Sequence, residues 1–599
     1  RQYSSVQKDI LDMFNRTGGD IGKTYDEMER RFENYNKQEI ISILSWFRYS
    51  GYTNALGNGN INNEKEIEDD YRNNPWKFIY EFIQNVDDCS FGGNDPFLKI
   101  DIDNEANAIT FEYNENGFTL DDVKALTKFG DSVKARSLES LICVNGVFDR
   151  EKTGRKGRGF KSVFSLPGQG VVVHVCSNGF SFKFVKRLGS IIPIWENVEN
   201  APVKGTRITV EGFDFKYLPK LTNNIEKMFG ISDISSFYST CPILYLRKLH
   251  AVTVNNSGNM FSIGIIPVTQ EISDDIFECH HEEIVAGIVK ENEYRKSLWE
   301  VLHVAIDRAD EKMEFNSFRY TGMFSDGKKT RIASVFAPVM DSSENVSFEN
   351  GALYRTLPLD DNSFGLPISI NAPFETNSGR SAVADTDDAD NEVIEYVFDE
   401  LIKRFFMILR SMDNVSITKY IPSQDVVIFK DYKVLKERNL CNLIKAVPVL
   451  EAYDGTGYVS CNNAAMLFDK CYEWESPVYL AQCFGNNKKV LVKRNYAGLG
   501  RKCVRIIDFL NDQFVENMNK YLDGIELDDI AMVNLIMNHI YPYLDKVYES
   551  LSFKYKMADR QTELKNLKIF MFEMADGEWV RESASENSIL GNCETSSQF

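Results

Sequence analysis

The spacing of hydrophobic and polar positions changes several times along the chain and predicts four segments. Residues 1–56 have apolar positions at helical spacing between glycines, which predicts a small helical unit. Helical and strand patterns alternate over residues 64–215, continue as mixed α and β over 216–420, and remain mixed over 421–599. The pattern therefore predicts a multi-domain α+β protein.

Three short helices are predicted in the first segment, at residues 5–14, 25–32 and 37–50. Short helices with tight turns are typical of a winged-helix unit, so binding of nucleic acid is one interpretation. Basic and acidic residues are equal in number here, with eight of each. This balance favours the other interpretation, in which the helices form an adaptor that packs on its neighbour.

The second segment predicts an antiparallel sheet with helices on one face, since this arrangement buries alternating strands and an amphipathic helix together. Later segments predict one long helix and two hairpins with Asp-Gly turns, and His303 is interpreted as a core residue in apolar helical surroundings. The predicted elements are the helices 75–89, 120–128 and 387–412, the strands 97–101, 108–113, 170–175, 179–185 and 205–210, and the hairpins 446–459 and 568–580.

Composition and charge narrow the class of protein. The 599 residues are 43% hydrophobic and 26% charged, which is ordinary for a globular protein. No apolar run approaches the roughly 18 residues of a membrane helix, and no signal-peptide pattern is present, so we expect a cytoplasmic protein. A net charge of −20 disfavours a surface devoted to nucleic acid. The eleven cysteines include no CxxC pair, which predicts reduced thiols.

Candidate chemistry begins on the predicted helix 75–89. Glu81 and Asn85 are four residues apart and therefore project from one face of this helix. Hydrolysis of ATP needs a carboxylate that orients or deprotonates water and an oxygen ligand for Mg²⁺, and this pair can supply both. The same spacing is common on ordinary surface helices, so it indicates little alone.

A glycine-rich run gives the second candidate. Gly154, Gly157 and Gly159 precede an apolar helix and can present backbone N–H groups to phosphate. Phe160 separates Gly159 from Lys161, which excludes a Walker A loop.

Two turns supply weaker candidates. Gly117 follows the strand 108–113, where the lack of a Cβ atom lets a ligand approach the backbone closely. Thr206 follows Gly205 at the start of another strand, and its hydroxyl is a candidate ligand contact. Each of these features alone is more often structural than functional.

In their order and spacing, these motifs together resemble the GHKL ATPase superfamily, whose nucleotide site has the Bergerat fold. This superfamily includes the ninety-kilodalton heat-shock chaperone, DNA gyrase, MutL and histidine kinases. The chain is most similar to the sacsin and No Vein subgroup, and the similarity covers residues 64 to about 460. The residues that match family motifs are Glu81, Asn85 and Asp88, then Gly154, Gly157, Gly159 and Phe160, then Gly205 and Thr206.

The resemblance implies a site for Mg-ATP in which Glu81 acts on the attacking water, Asn85 binds Mg²⁺, and Thr206 supports the adenine. The superfamily's acid that reads the adenine amino group has no clean counterpart here, so Asn114 or Glu115 must substitute. Residues 127–153 are expected to form a lid. The remaining expected nucleotide contacts are Asp88, Gly117, Lys128, Ser132, Lys134, Gly154, Gly157, Gly159, Phe160 and Lys161, with Arg380 as a catalytic cation.

The implied function is a conformational switch that binds and hydrolyses Mg-ATP. Such a switch acts as a chaperone-like or remodelling module on a protein client, with an ATP-dependent homodimer as an expected assembly. Prokaryotic relatives of this type are associated with defence against phage, which implies a defence role. Two alternatives stay open: an ATP-binding sensor with little turnover that recruits an effector, and a DNA-processing protein that resembles MutL or gyrase.

Overall fold

The computed structural model divides the chain into two compact units. The first combines Arg1–Val339, Ser343–Leu401 and Phe429–Lys436, and the second combines Met340–Ser342, Ile402–Ile428 and Glu437–Phe599. The described residues are 4–50, 77–127, 141–144, 147–150, 163–164, 166, 168, 170–187, 190–198, 204–231, 233–271, 297–308, 311–325, 330–339, 351–363, 367–376, 383, 391–410, 412, 417–421, 440–452, 457–466, 490–492, 504–505, 512–524, 527–541, 566–574 and 576–583.

Both units mix helices and strands, which confirms the predicted α+β class. The helices are α1 (Ser5–Arg16), α2 (Ile21–Glu29), α3 (Lys37–Tyr49), α4 (Lys77–Asp87), α5 (Leu120–Thr127), α6 (Leu218–Met228), α7 (Phe237–Thr240) and α8 (Asn391–Glu395) in the first unit, and α9 (Ile402–Arg410), α10 (Leu440–Ala446), α11 (Asp512–Gly524) and α12 (Asp529–Leu535) in the second.

The strands of the first unit are β1 (Leu98–Asp103), β2 (Ala108–Tyr113), β3 (Leu141–Val144), β4 (Val147–Arg150), β5 (Val172–Ser177), β6 (Phe180–Arg187), β7 (Ser190–Trp195), β8 (Thr206–Glu211), β9 (Ala251–Asn256), β10 (Asn259–Glu271), β11 (Ser297–Arg308), β12 (Lys312–Ser325), β13 (Thr330–Pro338), β14 (Ala352–Arg355), β15 (Leu357–Ser363) and β16 (Ser369–Asn371). The strands of the second unit are β17 (Pro448–Glu451), β18 (Tyr458–Ser460), β19 (Ala464–Met466), β20 (Val490–Leu491), β21 (Val504–Arg505), β22 (Lys568–Glu573) and β23 (Trp579–Ser583).

One fourteen-stranded sheet organises the first unit, in the order β15-β14-β16-β13-β12-β11-β10-β9-β1-β2-β8-β5-β6-β7. Its strand pairs are antiparallel except β1 with β9 and β14 with β16, which are parallel. The β1–β9 pair joins Leu98 to Val252. A single sheet therefore runs across the boundary that the sequence predicts at residue 215.

Helix α4 covers one face of this sheet, which is called the inner face below. Its Phe82 ring stacks on Phe111 of β2 with centroids 4.6 Å apart, and Phe78 meets the same ring edge-on at 6.2 Å. Alternation along β8 buries Thr206, Ile208 and Val210 on the inner face, while the residues between them are partly exposed. The core thus lies between α4 and the inner face of β1, β2, β8 and β5.

The first three helices attach to the far edge of the same sheet, where α3 packs against β6 and β7. Capping boxes fix the N-termini of two of these helices, Ser4 with Gln7 in α1 and Asn36 with Glu39 in α3. Lys37 at the start of α3 lies 4.9 Å from the centre of the Phe180 ring and donates to the carbonyl of Asn178. One basic residue of the three-helix segment therefore contacts another part of the protein.

One prediction about these elements is confirmed over the described residues, and one is wrong. The predicted helix 387–412 is confirmed over residues 391–410, where a π-helical stretch at Tyr396–Leu401 connects α8 to α9 without a break. In this stretch Tyr396 stacks on Phe324, with ring centroids 4.3 Å apart. His303 lies on strand β11, with its side chain about one third exposed and Nδ1 3.3 Å from Asn316 Oδ1. Burial alternates along β11, so an apolar run that suited a helix is a half-buried strand.

In the second unit both predicted hairpins are confirmed, as β17 pairs with β18 and β22 pairs with β23. Arg410 of α9 donates to the Pro448 carbonyl at 2.6 Å and stacks over Tyr458. Asn519 of α11 accepts from the Lys568 amide at 2.8 Å, which holds that helix against β22. Among the helices of the described residues, none has the length and apolar character to span a membrane.

Candidate functional site

Helix α4 is buried over most of its surface but keeps one polar strip partly open. Eight of its eleven residues are buried, and the three that are partly exposed are Tyr80, Glu81 and Asn85. Glu81 and Asn85 lie one turn apart on the same side, as their spacing predicts. The partly exposed Cys89 continues the strip just beyond the end of the helix. Polar groups held at the edge of a core in this way are accessible to a ligand.

A buried carboxylate lies at the ends of the neighbouring strands. Glu115 follows β2, and Thr206 Oγ1 donates to its Oε1 at 2.6 Å. Thr206 Oγ1 also lies within hydrogen-bond distance of Ser177 Oγ at the end of β5, and this oxygen accepts from the Phe118 amide at 2.8 Å. The strand pairing produces the cluster, because Thr206 lies opposite both Tyr113 and Ser177 in the sheet.

Burial raises the pKa of Glu115, and the nearby Asp122 carboxylate acts in the same direction. Hydrogen bonds from Cys89 and Thr206 oppose this effect without cancelling it. The Cys89 Sγ atom also lies 3.1 Å from the Asn85 carbonyl oxygen, so one thiol lies between the end of α4 and the buried acid. The buried acid therefore lies beside the Cys89 end of the strip.

The structure distinguishes Asn114 from Glu115, the two candidates for the predicted contact to adenine. Asn114 accepts from the Phe97 amide at 3.0 Å and donates to the Asp95 carbonyl at 2.8 Å, so both ends of its side chain hold the chain before β1. Glu115 instead points into the cluster with Thr206. Of the two residues, Glu115 is the one that the fold places beside α4.

Glycine is required in this region by contacts within the protein. Gly117 has φ +91°, and a Cβ atom there would lie 2.6 Å from Cβ of Asn178. Gly205 has φ +90°, and a Cβ atom there would lie 2.3 Å from the Tyr113 carbonyl oxygen. The predicted reason for Gly117 was close approach of a ligand, whereas the structure shows close approach of the β5–β6 turn.

Asp88 lies at the far end of the α4 region and faces the protein interior. Its side chain is 1% exposed, and Arg247 Nη2 lies 3.5 Å from its Oδ1. The neighbouring Asp87 accepts backbone hydrogen bonds from the segment before β9. The sequence predicts Asp88 as a nucleotide contact, whereas in the structure its carboxylate lies beside Arg247.

Several predicted site residues lie outside the described residues, and the structure neither supports nor contradicts their roles. They are Lys128, Ser132, Lys134, Gly154, Gly157, Gly159, Phe160, Lys161 and Arg380. Of the predicted lid, the described part includes the antiparallel pair β3–β4.

Sequence reasoning missed four residues of this region: Asp87, Cys89, Ser177 and Arg247. Ser177 and Cys89 carry no local signal, because a serine at a strand end and a cysteine after a helix are ordinary. Arg247 and Lys248 give a weak signal, since they interrupt an apolar run from residue 243 to 249. A charged pair inside such a run indicates buried partners elsewhere in the chain.

No protein-family model matches the chain, and no curated protein matches it. No cluster of three or more metal-binding side chains occurs within the parts of the chain that are described. The chemistry available at the site is therefore that of one carboxylate and one amide on α4, with a buried carboxyl group hydrogen-bonded to hydroxyls.

Proposed function

We propose that the chain binds and hydrolyses Mg-ATP at this site, as a GHKL-type ATPase with a Bergerat fold that resembles the sacsin and No Vein proteins. The observation that supports it is the pairing of two features on one face of the sheet. The open strip of α4 carries Glu81 and Asn85, and the Glu115–Thr206 pair lies beside it. An ATP site needs groups that act on the phosphates and their Mg²⁺, and a group that binds the adenine base. The α4 pair is suited to the first role and the buried acid to the second.

At the base end, Glu115 is the acceptor for the adenine amino group. A carboxylate has about four lone-pair positions. The donors described here, Thr206 and Cys89, occupy fewer than that. Asn114 is engaged by Phe97 and Asp95, so it does not compete for this role.

At the phosphate end, the amide oxygen of Asn85 is a suitable Mg²⁺ ligand, and Glu81 one turn away orients or deprotonates the attacking water. When bound, Mg²⁺ neutralises phosphate charge. The partial exposure of Glu81 and Asn85 fits this donor set, since both remain accessible on a helix that is otherwise buried. The glycine-rich run and Arg380 keep the roles that the resemblance implies.

The output is a conformational change that acts on a protein client, in the manner of a chaperone-like or remodelling ATPase. An ATP-dependent homodimer and a role in defence against phage follow from the resemblance, and both, together with a cytoplasmic location, are part of the same proposal. The sensor that binds ATP without turnover shares the binding site but not the role of Glu81. Turnover therefore distinguishes the two functions.

The test is steady-state turnover of Mg-ATP with nucleotide binding measured in parallel, on wild type, Glu81→Ala and Glu81→Gln. We expect both variants to bind ATP and to lose about 100-fold or more in turnover, as is usual when a general base is removed. Glu112→Gln is the matched control, because Glu112 pairs with Arg207 on the opposite face of the sheet. Binding without turnover in the wild type favours the sensor, and absence of binding rejects the proposal.

A further inference from the structure

The end of α4 is fixed to a distant segment by one carboxylate. Asp87 is fully buried, and its Oδ1 accepts from the amides of Arg247 at 3.0 Å, Lys248 at 2.8 Å and Leu249 at 3.0 Å. Three backbone donors on one oxygen saturate it. Such an arrangement holds a backbone segment in place more firmly than a single hydrogen bond does.

Charges on both sides reinforce this attachment. Arg247 lies 3.8 Å from Asp87 and 3.5 Å from Asp88, and Lys248 Nζ donates to the Cys89 carbonyl at 2.7 Å. The side chains of Asp87 and Asp88 are 0% and 1% exposed. Two adjacent buried carboxylates need a cation, because removing it leaves uncompensated charge in a medium of low dielectric constant.

The attachment connects the α4 strip to the sheet. Leu249 is two residues from the start of β9, which pairs with β1 and β10. Asn85 is two residues before Asp87, and Glu81 is about 9 Å from it along the helix axis at 1.5 Å per residue. A shift of the last turn of α4 therefore displaces the whole strip relative to Glu115.

We propose that Asp87 and Arg247 are positioning residues of the nucleotide site: they fix the end of α4 against the segment before β9 and so set the alignment of Asn85 and Glu81. This inference rests on the proposed function. Asp88 belongs to the same attachment through Arg247 and does not contact the nucleotide directly.

The three variants Asp87→Ala, Asp87→Asn and Arg247→Gln differ in what they remove. Alanine leaves three backbone amides without this acceptor, and we expect ATP affinity to fall about tenfold or more, because a site misplaced by about 1 Å loses its binding geometry. Asparagine keeps Oδ1 as an acceptor and should restore affinity to within about threefold of wild type. Arg247→Gln removes the cation and should weaken ATP binding about fivefold or more.

The experiment measures the ATP dissociation constant, kcat and KM for each variant, at a temperature well below its unfolding midpoint. Ser317→Ala is the control for lost stability, because it removes a buried hydrogen bond between Ser317 on β12 and Tyr238 on α7. A positioning role requires that ATP affinity falls from wild type through Asp87→Asn to Asp87→Ala. The ATP affinity of Ser317→Ala should equal that of wild type.

Four results would overturn the inference. Equal affinity of wild type and Asp87→Ala rejects the positioning role and leaves the proposed function intact. An equal loss in Ser317→Ala assigns the effect to general stability. Absence of ATP binding in the wild type rejects the proposed function itself. If Asp87→Ala does not fold, unchanged affinity in Arg247→Gln rejects the inference.

Discussion

Strands β5 and β8 carry a hydrogen-bonded carboxyl cluster on each of their faces. On the inner face, Glu115 meets Thr206 of β8, which lies beside Ser177 of β5. On the outer face, His174 of β5 lies between two glutamates, 2.6 Å from Glu196 and 2.9 Å from Glu211 of β8. The two clusters share a backbone but differ in the chemistry of their donors.

The difference in donors gives the two acids opposite pKa shifts. Glu115 is buried among neutral hydroxyls and a thiol, and its pKa is raised. Burial also raises the pKa of Glu196, but hydrogen bonds and charge from His174 and Lys183 outweigh it, so that pKa is lowered. The basic neighbours His174 and Lys183 give the outer cluster the character of a structural ion pair. Among the described residues the donors to the inner acid are neutral, and in the proposed function this is the acid that meets the ligand.

The largest effect is expected for Thr206→Val, which keeps the shape of the side chain and removes its hydroxyl. Glu115 and Ser177 then lose a buried partner, which costs about 1–3 kcal/mol in the free energy of unfolding. If the inner cluster reads adenine, ATP affinity falls about tenfold as well, by the loss of a hydrogen bond to a charged group. Thermal unfolding and ATP titration measure the two effects.

Thr209→Val is the matched control on the same strand. Thr209 lies on the outer face, where its hydroxyl is 2.9 Å from that of Thr110 in a partly buried pair. The expected cost is about 0.5 kcal/mol, typical of a cross-strand pair, with unchanged ATP affinity. Equal loss of ATP affinity in both valine variants would contradict the functional difference between the faces.

Elements with strict spacing could be predicted from the sequence. Strand β2 has the predicted bounds, and Glu81 and Asn85 share one side of α4, because period two and a four-residue step are local properties of the backbone. The predicted choice between Asn114 and Glu115 stayed open for a physical reason. Adjacent residues in a turn point in different directions, and only the position of their partners separates them.

The partners themselves could not be predicted. Thr206 is 91 residues from Glu115, and Arg247 is 160 residues from Asp87. Sheet order decides both contacts, since β8 lies between β2 and β5 and β9 lies beside β1. Spacing rules describe neighbours within one element, and they do not contain the order of strands in a sheet.

A smaller effect is expected for Glu115→Gln, and it depends on pH. Because the folded-state pKa of Glu115 is raised, the native state holds this proton more tightly than the unfolded state does. The stability from Glu115 is therefore fully present below about pH 4.3, the unperturbed value, and is lost as pH rises through the raised pKa. The unfolding midpoint of wild type minus that of Glu115→Gln should fall from pH 5 to pH 8. A flat or rising difference would contradict the shift.

The smallest effect is expected for Glu196→Gln, with the opposite sign. The folded-state pKa of Glu196 is lowered, so its stabilisation is present above about pH 4.3 and is lost as pH falls through that lower pKa. Between pH 5 and pH 8 Glu196 stays ionised, and the variant should be less stable than wild type by about 0.5 kcal/mol, as expected for a partly exposed ion pair. ATP affinity should not change, because Glu196 belongs to the outer cluster. A change in ATP affinity would show that the outer cluster also shapes the site, and the functional separation of the two faces would then be wrong.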